Sequence, residues 1–379
     1  MTDVYSLALC KVRGIGPAIA KKLMDVYPSA QALFEETPAN LQQLFRGKEK
    51  TIEDIISRKM FPRCNEELEF MDKNNIRCYF IKDEDYPYRL KEIDSPPTCL
   101  FVKGNGNLDT PRTVSIIGSR HASDYGKWVT ASIVHELKAY NACIISGLAY
   151  GIDSAAHICA LNEGMSTFGV FGHGLDKVYP VQNYNLAQSA MLAHGGLVSE
   201  FFSLTPANAY NFPQRNRIIA ALSDLCIVVE GGIKSGSMIT PRYAREFDRE
   251  VLAVPGRIGD AYSEGCNNLI ASNVAGLLSD ITAIGSVMNW TNSPETDFTK
   301  PQKVVQTEKA PERIEKKLPE MTEQEKIIYD FIRQIKKAGI DDLLTQCRLD
   351  FASVSICLMN LELKGCIAAL PGKCYECLI

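Results

Sequence analysis

Residues Phe212–Thr240 read FPQRNRIIAALSDLCIVVEGGIKSGSMIT. The stretch opens on an aromatic ring and two arginines, Arg215 and Arg217, and runs through the apolar helical turn IIAAL. A β-branched strand, Cys226–Glu230, follows, and a Gly/Ser loop, EGGIKSGSMIT, then enters a second helix. Helix, apolar strand, glycine loop and helix in succession point to a parallel α/β sheet. Such a loop presents unpaired N–H groups at a helix start, where an anion is favoured. With cations beside it and Phe212 placed to stack, the stretch predicts a site for an anionic ligand.

The alternation extends toward the N-terminus. Val114–Gly118, Cys143–Ser146, Thr167–Phe171 and Gly196–Ser199 are predicted strands, and Val251–Pro255 follows the opening stretch. Helices are predicted between them over Tyr125–Tyr140, Ile152–Asn162, Asn183–His194, Pro213–Leu222 and Ser237–Phe247. Continuous apolar strands in this order imply a sheet covered on both faces with right-handed crossovers. Ligands of such sheets sit at the carboxyl ends of the strands. Each glycine cluster falls at such an end, which makes one shared site.

The flanks read differently. Residues 1–62 are expected to be helical, with the turn Val12-Arg-Gly-Ile-Gly-Pro17 leading into a helix that carries Lys21 and Lys22. This resembles a helix-hairpin-helix element, which binds the DNA backbone; the alternative is an ordinary glycine turn between packed helices. Residues 62–111 read as a transition, with short strands at Ile76–Ile81 and Leu100–Gly104. Residues 289–317 are rich in Pro, Thr, Lys and Glu and read as a linker. Residues 318–379 predict helices Glu323–Lys337, Ile340–Cys347 and Asp350–Lys364, then a hairpin turned at Pro371-Gly372, a winged-helix pattern. Its recognition helix, FASVSICLMNLELKG, is poor in arginine and lysine, which favours protein contact over duplex reading. The expected layout is therefore a helical domain (1–62), a Rossmann-like domain (63–288), a linker (289–317) and a winged helix (318–379).

The net charge of −4 supplies no global polycation, so nucleic acid would have to be held by local basic patches. Thirteen scattered cysteines suit reduced thiols better than a disulfide framework. Cys374 and Cys377 form a lone CxxC, a weak zinc signal. No apolar run is long enough to cross a bilayer, and MTDVYSLALCKVRG lacks a signal peptide's pattern, so the expectation is a cytoplasmic protein without a membrane partner.

Four clusters meet at the expected sheet edge. Gly118-Ser119-Arg120 combines close backbone approach, a hydroxyl and a bidentate cation. Ser146-Gly147 through Gly151 leads to Asp153 and His157, which either pair on one helix face or cap the loop. Gly172-His173-Gly174 follows the third strand, with Tyr179-Pro180 closing the loop; His173 either touches ligand or fills space. Lys234, Ser235, Gly236, Ser237 and Thr240 supply a cation, hydroxyls and N–H groups. No Walker motif, HExxH, GxSxG or metal-spaced Cys/His set occurs, so no catalytic residue, metal or cofactor is expected.

SIIGSR, ISGLAYGIDSAAH, GHGLDKVYP, VSE, FPQRNRIIAALSD, VVEGGIKSGSMIT and AVPG, in this order, resemble the DNA processing protein A family, also called DprA or Smf. The resemblance implies an extended Rossmann-like fold that binds single-stranded DNA, forms a homodimer through that domain and loads RecA recombinase in natural transformation. It places Arg120, Phe212, Arg215 and Arg217 in the DNA pocket, and Asn216 lies within the same FPQRNR motif. Where the family reads LI..GA, this chain has Leu269-Ile-Ala-Ser-Asn-Val-Ala275, and the missing glycine predicts a differently shaped loop. A rival reading is a nucleotide-cleaving enzyme of the nucleoside-monophosphate phosphoribohydrolase type. The stretch EGGIKSGS lacks that family's PGGxGT core and the glutamate after it, leaving Glu200 or Glu230 as its only carboxylate candidates.

Overall fold

A computed structural model of the chain describes residues 2–291, 321–335, 337–347, 351–364, 366–370 and 374–377. It divides into two compact units, Met1–Asp297 and Phe298–Ile379.

The first unit is built on β1 (Ile76–Phe80), β2 (Cys99–Lys103), β3 (Thr113–Ile117), β4 (Cys143–Ser146), β5 (Thr167–Phe171), β6 (Gly196–Ser199), β7 (Leu225–Val228), β8 (Glu250–Ala253) and β9 (Gly276–Leu277). They form one sheet in the order β1-β2-β6-β5-β4-β3-β7-β8-β9. From β6 to β9 all pairings are parallel, whereas β2 runs antiparallel to β6 and β1 antiparallel to β2. The parallel part starts in the middle at β3, adds β4 to β6 on one side, then returns to add β7 to β9 on the other. The order thus reverses between β3 and β7, and a crevice opens at the carboxyl ends of those strands. Ile117 is level with Val228 in the register, so the loops leaving β3 and β7 emerge side by side.

Alternating side chains serve the two faces. Val114, Ile116, Ile144 and Ile227 pack against Val129, Ile133, Leu137 and Ile152. Ile145, Val170, Cys226 and Val228 pack against Ile218, Ile219 and Leu222 on the opposite face. Both faces being buried explains the continuous apolar strands. Helix Asp124–Lys138 begins where Ser123 Oγ accepts the Gly126 N–H at 2.9 Å, and its buried Val129, Ile133, Val134 and Leu137 follow helical spacing.

Two expectations need correction, and one helix was not anticipated. Pro62 stands in the first turn of a helix, Phe61–Asn74, where its missing N–H costs nothing, so a helix occupies the start of the expected transition and spans the 62/63 junction. Asn183–His194 is not one helix: a 3-10 turn (Val181–Asn183), a π-helical turn (Leu186–Ala190) and a short α-turn (Met191–His194) replace it. A further helix, Glu264–Ala271, precedes β9. Asn273 there takes φ +56°, the left-handed conformation a glycine would supply and asparagine tolerates.

The N-terminal helices share one core with the sheet, in which Leu7, Leu33, Phe34 and Met71 join Phe80, Phe101, Phe171 and Phe202. Polar contacts reinforce it. The Glu67 carboxylate accepts the Ser203 N–H at 2.9 Å and its hydroxyl at 2.5 Å, while Arg63 donates to the Ser203 carbonyl at 2.7 Å. Lys11 Nζ lies 4.0 Å from the centre of the Phe202 ring. Lys21 Nζ donates to the Lys91 and Ile93 carbonyls at 3.2 and 3.0 Å, so it binds protein at the glycine turn, and Lys22 alone of that pair is exposed.

The second unit contains helices Glu323–Ile335, Ile340–Cys347 and Phe351–Leu363 with β10 (Lys337–Gly339), β11 (Ile367–Leu370) and β12 (Cys374–Cys377), in the order β10-β12-β11. This is the expected winged helix, closed around Ile328, Ile332, Leu343, Val354, Leu358 and Leu361. The expected turn at Pro371-Gly372 and most of the expected linker lie outside the described residues.

The amino ends of β3 and β7 are joined through Asp224, a quarter exposed and paired with a buried arginine. Arg89, 1% exposed, donates through Nε and Nη2 to both Asp224 oxygens at 2.8 Å. Asp224 also accepts the Thr113 N–H at 2.8 Å and its hydroxyl at 3.0 Å. Asp224 is a quarter exposed and keeps its Thr113 bonds, so Arg89→Met is expected to cost about 1–3 kcal/mol. A urea midpoint within error of the unsubstituted protein would refute this.

Candidate nucleic-acid interface

The loops at the carboxyl ends of β3, β4 and β5 meet the first turn of helix Asn211–Ala221, and two of their contacts admit only glycine. Gly151 has φ +78°, and a Cβ there would lie 2.1 Å from the Ser119 carbonyl oxygen, so the β3 and β4 loops touch backbone to backbone. At Gly147 a Cβ would lie 1.5 Å from Arg215 Nη1 and 2.7 Å from Asp153 Oδ2. Gly118 is also crowded, by Ile152 at 2.6 Å, whereas Gly172 meets Phe212 less closely, at 3.1 Å. These glycines set loop-to-loop distance more than room for a ligand.

Arg120 is the cation this packing pushes outward. It is exposed, and its guanidinium lies 5.4 Å from the centre of the half-buried Phe212 ring. Phe212 rests on Gly172 and stacks on Tyr179 at 6.3 Å and 28°, and Tyr179 is 49% exposed. The ring surface is therefore shared by Phe212 and Tyr179 rather than offered by Phe212 alone. On the other side of Arg120 a cleft of about 550 Å³ is lined by Arg120, His121, Ala122, Lys127, Tyr150 and Gly151. Tyr150 is 40% exposed and its hydroxyl is bonded to Gln182 Oε1. The sequence placed Tyr179 only as a loop closer and gave His121, Lys127 and Tyr150 no role; Tyr150 stands directly before Gly151, which was the available signal.

The other arginines of FPQRNR are committed to protein. Arg215 is buried and donates from Nη1 to the Val170 carbonyl at 3.2 Å. Arg217 donates to the Ser95 carbonyl at 2.6 Å and is ion-paired to Glu200. Asn216 donates to the Gly236 carbonyl at 3.3 Å, tethering the β7 loop to the helix. In that loop Lys234 and Gly236 are exposed, the Ser235 and Ser237 hydroxyls bond each other at 2.8 Å, and Thr240 is buried at the start of helix Thr240–Glu246. Ser146 is turned into the sheet, its hydroxyl donating to the Ile116 carbonyl at 2.6 Å, and Ser119 Oγ accepts the His121 N–H at 3.0 Å. Gly174 packs on Asp176 and the Phe202 carbonyl.

The ionisable groups beneath are structural. Asp153 accepts the Gly147 and Ala149 N–H groups at 3.1 and 3.4 Å, so it caps its loop and does not pair with His157. Burial pushes its carboxyl up, and the Arg215 charge opposes that. His173 is 1% exposed, its Nδ1 bonded to the Gly174 carbonyl at 2.8 Å and its ring 4.6 Å from Phe171, so it fills space. Glu230 accepts the Ser123 N–H at 3.0 Å and binds the Ser123 hydroxyl at the start of helix Asp124–Lys138. Glu200 Oε2 is paired with Arg217 while Oε1 is buried without a hydrogen-bond partner, and burial raises its carboxyl. Both carboxylates suggested for a hydrolase thus have protein partners.

His157 is fully buried with Nδ1 2.7 Å from Thr167 Oγ1, whose own proton goes to the Ile144 carbonyl. Nδ1 must therefore carry the imidazole proton. Burial, with Arg215 adding to it, lowers the ring to about 3. An unfolded histidine titrates near 6.5. The stability contributed by neutral His157 is complete above that pH and falls by about 1.4 kcal/mol per unit on acidification toward 3. His157→Asn keeps the donor to Thr167, so it should flatten the slope of urea stability between pH 4 and 6; an unaltered slope would contradict a neutral ring.

The profile of the DNA recombination-mediator protein A family matches residues 77–289, and that of the DprA winged helix domain matches residues 315–373. The chain is 31% identical to Protein Smf of Synechocystis over 99% of its own length and 98% of that protein. It is 35% identical to DNA processing protein DprA of Bacillus subtilis, over 70% of this chain and 88% of that protein. Among solved structures it is similar to DprA of Streptococcus pneumoniae, with a TM-score of 0.66 and 32% identity, covering 75% of this chain and 98% of that one. It also resembles the Helicobacter pylori DNA processing protein A described for its single-stranded DNA binding mode, at a TM-score of 0.50 and 30% identity, covering 56% of this chain and 94% of that one. With the GSR and FPQRNR motifs brought together at one sheet edge, these matches show that the chain belongs to the DNA recombination-mediator protein A family, DprA/Smf.

Proposed function

We propose that this protein binds single-stranded DNA without sequence preference at the Arg120–Phe212–Tyr179 surface. The observation that carries the reading is the exposed Arg120 guanidinium set 5.4 Å over a ring that itself stacks on a half-exposed tyrosine, at the open end of a parallel sheet. A cation beside aromatic rings suits a phosphate with an unstacked base, and bases are unstacked in single strands. Every base has a π-face, so such stacking tolerates any sequence. The Helicobacter pylori relative's single-stranded DNA binding supports the same ligand. Arg215, Arg217, Asn216, Ser146 and Asp153 hold the loops in place, while Lys234 adds charge at the β7 loop.

On this reading DNA is held without chemistry, as the engagement of Glu200 and Glu230 supports. Membership of the family makes a role in DNA processing during natural transformation the natural setting. The finer role proposed is a cytoplasmic homodimer, joined through the Rossmann-like domain, that loads RecA recombinase onto the bound strand. Among the described residues no helix is long and apolar enough to cross a membrane. The winged helix is assigned to protein contact, because its Phe351–Leu363 helix carries no basic residue.

Arg120→Ala should weaken binding of oligo(dT) by about 1.5–3 kcal/mol and flatten its salt dependence by about 0.7 in the log–log slope. Tyr179→Ala should cost about 1–3 kcal/mol with the slope kept. Fluorescence anisotropy across a salt series, with duplex in parallel, checks both. Preference for duplex, or an unaltered slope in Arg120→Ala, would overturn the reading. Deleting residues 318–379 should spare oligo(dT) binding and abolish RecA loading; loss of DNA binding instead would refute the assignment of the winged helix.

A further inference from the structure

The cleft beyond Arg120 ends on helix Asp124–Lys138, whose outer side carries two exposed aromatic rings. Trp128 is 63% exposed and Tyr125 54% exposed, one helical turn apart, with ring centres 6.1 Å apart and planes inclined by 32°. Neither supplies the buried face of the helix, which is made by Val129, Ile133, Val134 and Leu137. Lys127, between them in sequence, lines the cleft together with Arg120 and His121. Its ammonium is 3.3 Å from the Asp124 carboxylate, but both groups are exposed, and such a pair yields readily to a phosphate. Arg120 thus borders two surfaces: the Phe212 ring, which stacks on Tyr179, and the Lys127 cleft, with Trp128 next to Lys127 on the same helix.

We infer that Tyr125, Lys127 and Trp128 form a second subsite that takes the same single strand as it leaves the Phe212 pocket, Lys127 meeting a phosphate and Trp128 stacking on a base. The occupant follows from continuity and charge. Lys127 joins the subsite to the first one through a cleft that Arg120 and His121 also line, and an indole is a strong stacking platform. The inference rests on the reading of the Phe212 pocket given above and extends it to a longer path.

The chain has two tryptophans, Trp128 and Trp290, which makes the subsite directly observable. In full-length Trp290→Phe protein, Trp128 is the sole indole, and saturating oligo(dT) should quench its emission. Trp128→Ala should leave the affinity for the shortest oligo(dT) that binds unchanged and weaken that for longer oligomers by about 5- to 150-fold. Trp128→Phe should recover most of the loss. Bound long oligo(dT) without quenching, together with equal affinities of Trp128→Ala at every length, would overturn the subsite and leave the Phe212 pocket standing. A change of sedimenting species in Trp128→Ala with DNA binding intact would overturn it in favour of a contact between copies of the chain. Absence of oligo(dT) binding by the unsubstituted protein would instead remove the pocket itself, and the subsite with it.

Discussion

Backbone packed on backbone is the constraint from which the site follows. The Gly151–Ser119 contact leaves no space for a Cβ, and the Arg215 guanidinium fills the position beside Gly147 that a side chain would otherwise take. Together they pull the β3 and β4 loops to a separation set by atomic radii. With both loops so fixed, Arg120 lies exposed over Phe212. The surface that meets solvent is therefore a product of crowding beneath it.

The arginines divide their work accordingly. Arg215 and Arg217 spend their donors on the Val170 and Ser95 carbonyls and on Glu200. Arg120 keeps its donors for solvent or ligand, above a ring that provides a cation–π contact but accepts no strong hydrogen bond. A buried guanidinium defines geometry, whereas an exposed one confers affinity and salt dependence. Both kinds occur within a single sheet edge, which is why charge counting along the chain is a poor guide to where a phosphate would rest.

The strands were legible because burial on both faces demands an unbroken apolar run, and β4, β5 and β6 begin and end where their sequences say. Their carboxyl ends therefore pointed to the candidate site, where Arg120 lies over the Phe212 ring. What local sequence did not carry were facts set by distant residues. Pro62 looked like a break, yet it opens a helix, because a proline in the first turn forfeits nothing. Asn183–His194 has a helix's composition but winds in three different ways. Arg217 reads as a free cation until Ser95 and Glu200 are folded against it, and Tyr179 reads as a turn residue until Phe212 lies on it.

The contacts of Ser203 with Glu67 and Arg63, and of Phe202 with Lys11, have a bearing on modularity. They clip the chain segment that delivers helix Asn211–Ala221 to a scaffold made from the first part of the sequence. The amino-terminal helices are thus a splint for the pocket as well as a neighbouring layer. A fragment starting at the sheet would lack that splint and bare the Phe202 ring, so its candidate site would be a loosened relative of the intact one. Swapping these helices between homologues would tune the candidate site from a distance, without altering any residue exposed at its surface.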